Sequence, residues 1–485
     1  MRVERWLAHR ARSHGERTAL IAGGQKLSYA ELEQRCQVVA SQLSDAGVTP
    51  RSGVRIGIAA GNSGAWIETL HAAMMLGSPI LALNTRLSAR ELERPIRAGR
   101  PGLIVCDPPR ESTIRQAAPD IPILGTATLA SNAGVERATQ SRLEQQVDLA
   151  AEQSLLFTSG TSGVSKGVVL SYANQLASAL ASRKHLGVHQ ADRWLLCLPL
   201  FHVGGMAIPL RACLDAQSVV LHDGFDAERV AAALFDQDIT LISLVSTMLH
   251  RLLEVLPSAP PALRCALIGG GPIPAPLLER ARALGLPVAP TYGLTESASQ
   301  VATANPLDHR SGVPPLPGTE IQIRAENGEP LAAGEAGEIC VRGDQVMTGY
   351  LGDSVATRQA LQSGWLRTGD VGFLDPAGRL HLLDRRSDLI VTGGENVYPS
   401  EVESALLRHP QLRDAAVVSK PDAEWGQRVV AHVVLGPDEA STAQELERHC
   451  REQLAAYKIP REFHFHRALP RSAGGKLLRR ELRDD

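Results

Sequence analysis

The run LLFTSGTSGVSKGVVL, residues 155–170, sets glycines, hydroxyl side chains and one lysine between two apolar segments. Three chemistries fit parts of it. A nucleoside-triphosphatase P-loop needs a hydroxyl directly after its lysine, whereas Gly167 follows Lys166 and Ser165 precedes it. Gly163-Val164-Ser165-Lys166-Gly167 spells the G-x-S-x-G of a serine nucleophile turn, which must pass from a strand into a helix. The β-branched GVVLS that follows reads instead as a strand. A flexible spacer would be longer. What remains is a hairpin loop with free backbone N–H groups, the hydroxyls of Thr158 to Ser165 and the Lys166 ammonium, all suited to phosphate oxygens. A hairpin wrapping a triphosphate is the physical expectation.

The chain has 485 residues, which predicts two or more domains. With 50 basic and 52 acidic side chains the net charge is -2, so nothing electrostatic recommends a nucleic acid or an anionic membrane as partner. Small-molecule substrates fit better, and nothing opposes a homo-oligomer. Seven scattered cysteines, without a C-x-x-C pair, predict free thiols in a reducing compartment. Charges interrupt MRVERWLAHRARSHGERTAL before a signal-peptide core could form, and no apolar run approaches the roughly 20 residues of a membrane span. A cytoplasmic protein without membrane insertion is expected.

From about residue 153 short apolar runs alternate with helical patterns, which predicts an α/β fold of layered sheets and helices. RWLLCLPL (193–200), SVVLHD (218–223), TLISLV (240–245) and LRCALIGG (263–270) read as strands. DAERVAAALFDQD and STMLHRLLEV between them read as helices. Ser28 precedes a helix with Glu31 in place for a capping box. After about residue 310, turn dipeptides between alternating segments predict a β-rich subdomain to about residue 384. DRRSD (384–388) marks the expected boundary between an N-terminal domain, 1–384, and a small α+β domain, 385–485.

Five segments occur together: TSGTSGVSKG (158–167), YGLTE (292–296), GWLRTGD (364–370), DRRSDLIVTGGENVYPSEVE (384–403) and PRSAGGK (470–476). In order and spacing the chain resembles the adenylate-forming superfamily of acyl-CoA synthetases, luciferases and peptide-synthetase adenylation domains, over essentially its whole length. Within it, PLFHVGGM (199–206), LISLVSTMLHRLL (241–253), LIGGGPIPAPLLE (267–279) and YGLTESASQVAT (292–303) are similar to the o-succinylbenzoate–CoA ligases of menaquinone biosynthesis. Other aryl- and medium-chain acyl-CoA synthetases carry variants of these segments and stay open as an alternative.

The resemblance implies ATP, Mg²⁺ and CoA as reactants with a small carboxylic acid, in two steps through an acyl-adenylate. It implies that Thr158, Ser159, Gly160, Thr161, Ser162, Gly163 and Lys166 hold phosphates, that Thr295 contacts the α-phosphate and that Glu296 binds the metal. Asp370 would accept the ribose hydroxyls with Arg385 in support, and Gly269, Gly270, Gly271 and Tyr292 would form the adenine slot. Lys476, within the last ten residues, would bridge the carboxylate and the α-phosphate. For Lys476 to serve only that step the small domain must turn, near 385–387, and bring Gly393 and Gly394 to a pantetheine tunnel. At the hinge Ser387 stands where many relatives carry Asp or Lys. Trp425 and Tyr457 are candidates for packing on CoA. Phe201, His202, Ser246, Ser297, Ser299, Gln300 and Val301 are candidates for the acyl pocket, His202 in a positioning role. Arg211, His222 and His250 are candidates for a second substrate carboxylate. Two readings of other classes compete: a hydrolase using Ser165, and a carrier in which GDSVATRQAL (352–361) holds phosphopantetheine, although Ser354 is better read as a helix cap.

Overall fold

The computed structural model describes residues 1–50, 53–129, 143–158, 165–189, 191–271, 273–308, 310–385, 388, 390–392, 395–422, 425–437, 439–454, 456–471 and 477–483. Among these, two large sheets are built mainly of parallel strands. One runs, in spatial order, Ser299–Thr303, Val288–Leu294, Cys265–Gly269, Leu241–Val245, Arg193–Leu196, Ser218–Leu221, Thr18–Ala22, Gln25–Ser28. The other runs Gly349–Tyr350, Lys166–Ser171, Glu152–Thr158, Ile80–Ala82, Arg55–Ala59, Pro101–Cys106, Ile123–Gly125.

Alternate residues explain why these segments are strands and why they read as continuous apolar runs. Along the first sheet Trp194, Leu196, Val219, Leu221 and Leu267 enter one core, while Leu195, Val220, Ile242, Leu244 and Ile268 enter another. In the second sheet Ile56, Ile58, Ile80 and Val105 join that same first core, while Leu81, Ile104 and Leu155 face away from it. The inner faces of both sheets therefore share one layer of helices, and each outer face carries its own, the arrangement parallel strands require. Helix Gly64–Leu76 belongs to the shared layer. Eleven of its thirteen residues are buried, so it is apolar almost all round. Helix Tyr29–Asp45 beside it starts with the expected Ser28–Glu31 capping box.

An antiparallel sheet of Glu320–Arg324, Gly337–Arg342, Trp365–Leu374, Leu361–Gln362 and Leu380–Arg385 follows. The last hundred residues form a three-stranded sheet, Leu412–Asp422, Gly426–Leu435 and Glu462–Phe465, with helices Pro399–Leu406 and Ala443–Arg451. Ile390, Val402, Leu406, Val417, Val429, Val433, Leu446 and Cys450 make a core of their own there.

Two local expectations change. The strand in RWLLCLPL stops at Leu196, because the segment turns before Pro199 to reach helix Val203–Asp215. Ser354 is the first residue of helix Ser354–Ala360, and the cap is Asp353, whose carboxylate accepts from Ala356 N. All seven cysteines are buried free thiols. Burial pushes Cys197, Cys213, Cys265 and Cys450 up to about 12. Among the described residues no helix is long and apolar enough to cross a membrane.

The N-terminal edge of the first sheet is fastened by one carboxylate. Asp192, with no exposed side-chain surface, accepts from Arg264 Nε at 2.7 Å and Nη2 at 2.6 Å, Thr240 Oγ1 at 2.9 Å, Gln217 Nε2 at 3.0 Å and His189 N at 3.0 Å. Burial alone would raise its pKa, but Arg264 and the His189 N–H reverse that and hold it below the ordinary carboxylate range. Arg264→Leu leaves the carboxylate buried without its cation and should cost roughly 3–5 kcal/mol at neutral pH. A depressed folded-state pKa gives stability that is present above the unfolded value and lost as pH falls through the folded one. Denaturant titrations of parent and variant should therefore converge in acid.

Candidate active site

The expected site residues gather where the parallel strands end. Cys197–His202 follows Leu196, His222 follows Leu221, Ser246 follows Val245, Gly270 follows Gly269 and Thr295 follows Leu294. Ligands in such sheets bind outside the carboxyl ends of the strands.

Lys166 opens the strand Lys166–Ser171, which pairs antiparallel with Glu152–Thr158 so that Lys166 stands opposite Thr158. The expected hairpin is present at its base. It also removes the hydrolase reading's geometry, since Ser165 leads into a strand and not a helix. Ser159, Gly160, Thr161, Ser162 and Gly163 lie outside the described residues, as do Ser387, Gly393, Gly394 and Lys476.

YGLTE ends the strand Val288–Leu294 and turns through Thr295–Ser297. The turn is forced by a close approach at Gly293, where a Cβ would stand 1.6 Å from Ser299 O. Ala298 and Ser299 take φ of 49° and 101°, unusual for residues with side chains. Ser178 Oγ holds this strained segment by donating to Ala298 O at 2.6 Å. Gly269 is also close-packed, though less tightly: its Cβ would lie 2.8 Å from Thr291 Cγ2, the residue before Tyr292.

RTGD sits on a bulge. Cys340 pairs with Arg367 and Glu338 with Val371, so Thr368, Gly369 and Asp370 stand opposite Ile339 alone. Glu338 accepts from Gly369 N at 3.2 Å and from Arg367 Nε at 2.9 Å, fixing the protrusion. The bulge turns Asp370 towards YGLTE, and Tyr292 Oη donates to Asp370 Oδ2 at 2.8 Å. Arg385 lies opposite Asp370 in the adjoining strand. Two segments almost eighty residues apart thus share a hydrogen bond. Glu296 accepts from Tyr350 Oη through Oε1 at 3.0 Å, and Lys166 Nζ lies 4.9 Å from the centre of the same ring.

Asn62, from the second sheet, fastens the PLFH segment, donating to Leu198 O at 2.9 Å and His222 O at 3.2 Å and accepting from Leu200 N at 2.9 Å. Phe201 is buried and His202 packs on it, ring centres 4.6 Å apart. His202 is itself exposed, and the protein around the ring still removes part of its hydration. That desolvation, with the Arg86 charge adding, lowers its imidazole to about 4.

Other candidates are separated. Ser297 and Val301 have no accessible surface, and the Ser297 hydroxyl closes on the Leu294 backbone, so both support the wall from behind. Gln300 is buried with its amide on Thr303, while Ser299 and Ser246 are half-buried at the strand ends. Arg211 lies towards the opposite end of the first sheet, beside Trp194 and Leu241, and donates to Ser178 Oγ at 3.3 Å. His222 Nδ1 is buried with no partner among the described residues, and His250 is half-buried on helix Ser246–Leu253. Trp425 and Tyr457 are exposed, each ring under a cation, Arg461 at 4.6 Å and Lys458 at 5.6 Å.

A family model described as AMP-binding enzyme matches residues 7–351, and its companion, AMP-binding enzyme C-terminal domain, matches residues 401–476. The chain belongs to the AMP-binding enzyme family. Among family members, the 2-succinylbenzoate–CoA ligase of Bacillus licheniformis is 38% identical over 483 residues, 98% of each chain. The o-succinylbenzoate CoA synthetase of Bacillus subtilis, 37% identical, matches 100% of this chain and 99% of its own in complex with the acyl-adenylate intermediate OSB-AMP, TM-score 0.93. Its complex with ATP and magnesium ion covers 100% of both, TM-score 0.92. A double mutant of the same synthetase bound to the product analogue OSB-NCoA covers 100% and 99%, yet its TM-score is 0.77.

Tyr350, Asn62, Glu338 and Ser178 were not legible as site residues. They act through hydrogen bonds to residues far away in sequence, and only the scarcity of tyrosine, six in 485, singles out Tyr350.

Two outcomes are expected. His202 should stay neutral from pH 8 down to pH 5 and titrate near 4, read from its imidazole proton shifts. Gly293→Ala should lower stability by about 2–4 kcal/mol in denaturant unfolding, since neither Ser299 nor the turn can yield.

Proposed function

We propose that the chain joins o-succinylbenzoate to CoA at the expense of ATP, in two steps through an acyl-adenylate. The observation that carries this is the match, along the whole chain, to a synthetase solved with that adenylate. In the first step a carboxylate oxygen attacks the α-phosphorus and the bond to pyrophosphate breaks. In the second the CoA thiolate attacks the acyl carbon and AMP leaves with the bonding pair.

The residues present suit these reactants. Glu296 is a half-buried carboxylate with one oxygen held by Tyr350, a fit for a hard divalent cation shared with phosphate oxygens. Mg²⁺ bound there supplies charge neutralisation for the leaving pyrophosphate. Lys166 and the loop from Thr158 would gather the β- and γ-phosphates and Thr295 the α-phosphate. Asp370, already carrying the Tyr292 hydrogen bond, would present its carboxylate to the ribose, with Arg385 alongside and Gly269–Gly271 beside the base. His202, neutral and packed on Phe201, would position the acyl group. Catalysis in this arrangement is orientation and charge stabilisation.

In this reading residues 1–384 and 385–485 move as two bodies about 385–387. Lys476 serves adenylation, and Gly393 and Gly394 then replace it, with Trp425 and Tyr457 near the CoA nucleotide. Two observations support such movement: the last hundred residues have a separate core, and one synthetase superposes at 0.93 with adenylate but 0.77 with the product analogue.

ATP–pyrophosphate exchange across a panel of acids tests the assignment; exchange with medium-chain fatty acids but none with o-succinylbenzoate would move it within the family. Lys476→Ala should lose exchange by a factor of 10² or more, the scale of an electrostatic catalytic contact. The variant should still convert supplied acyl-adenylate to thioester, and normal exchange in it would remove the two-body reading.

A further inference from the structure

We propose that Tyr350 is a positioning residue for adenylation: its hydroxyl holds Glu296 and its ring face holds Lys166, so the metal-binding carboxylate and the phosphate-binding ammonium stay apart and available. The inference rests on the ligase reading, in which Glu296 and Lys166 take those roles.

Lys166 and Glu296 carry opposite charges around one tyrosine ring and attract each other before nucleotide arrives. One side chain stands at both. Tyr350 Oη donates to Glu296 Oε1 at 3.0 Å, which fixes the carboxylate plane and leaves Oε2 for a cation. Lys166 Nζ sits 4.9 Å from the ring centre, where the negative face of the π system attracts it without consuming a carboxylate.

The backbone leaves the ring little freedom. Tyr350 stands opposite Val168 in the antiparallel pair with Lys166–Ser171, which puts Lys166 on its diagonal, within reach of an aromatic ring. Leu351 N donates to Gly167 O at 2.8 Å and Tyr350 N to Thr357 Oγ1 at 2.9 Å. Three residues earlier, Met347 N donates to Glu296 O at 2.8 Å. The segment 347–351 therefore ties the strand after the phosphate loop directly to the backbone of the metal-binding turn.

ATP–pyrophosphate exchange with the panel of acids in the parent comes first; its absence with every acid would sink the ligase reading and leave the geometry of Tyr350 standing. ATP binding is then measured by calorimetry with and without Mg²⁺. Y350F keeps the ring and loses the hydroxyl, so Mg²⁺-free affinity should match the parent while the gain on adding Mg²⁺ falls roughly tenfold, the scale of one hydrogen bond to a charged group. Y350L removes the ring as well and should also weaken Mg²⁺-free binding, by roughly threefold. Thioester formation from supplied acyl-adenylate should be unchanged in both. An unaltered Mg²⁺ gain in Y350F overturns the proposal. So does an equal loss with and without Mg²⁺ accompanied by a lower unfolding temperature, the mark of a merely structural residue. Y350F, close to isosteric, decides alone if Y350L does not fold.

Discussion

Two sheets share one buried helical layer, and the rest of the molecule is arranged around that shared burial. Because helix Gly64–Leu76 offers an apolar surface in nearly every direction, neither sheet can shift without exposing it. The strand ends of both sheets are thereby held in fixed relation. Asn62 makes the consequence concrete: it leaves the second sheet and closes the PLFH segment and His222 of the first. A site assembled from residues 62 to 370 needs that rigidity before any side chain can be aimed.

On this frame the chemistry is placed by local irregularities. A bulge projects Asp370, and a turn with two side-chain-bearing residues at positive φ presents Thr295 and Glu296. Regular strands alternate their side chains and cannot point several consecutive residues at one ligand. The departures from regularity put Asp370, Thr295 and Glu296, the proposed ribose, phosphate and metal contacts, at one site. Their cost is offset by hydrogen bonds from behind, from Glu338 to the bulge and Ser178 to the turn.

Much of this was legible in the sequence. The parallel strands were visible because both faces are buried, which writes a continuous apolar run, and the hairpin at 155–170 because GVVLS continues as a strand. YGLTE and RTGD were singled out through the family resemblance, and the structure brings the two segments together through the Tyr292–Asp370 hydrogen bond. Less visible was anything depending on distance across the fold. Ser297 and Val301 follow Glu296 closely yet turn into the wall, because the tight turn sends successive residues to different sides. Arg211 is buried in helix Val203–Asp215, and its hydrogen bond to Ser178, the hydroxyl that holds Ala298 O, could be seen only across the fold. Asp353 and Ser354 are both good helix caps, and only the backbone path chose between them.

The seven buried cysteines acquire a meaning once the intermediate is considered. An acyl-adenylate is an acylating agent, and any accessible thiolate near it competes with CoA. Here every cysteine thiol is buried, and those whose pKa burial raises carry almost no thiolate at neutral pH. The cysteines are thus silent towards the activated intermediate. The enzyme's selectivity for an incoming thiol begins with withholding the thiols it already has.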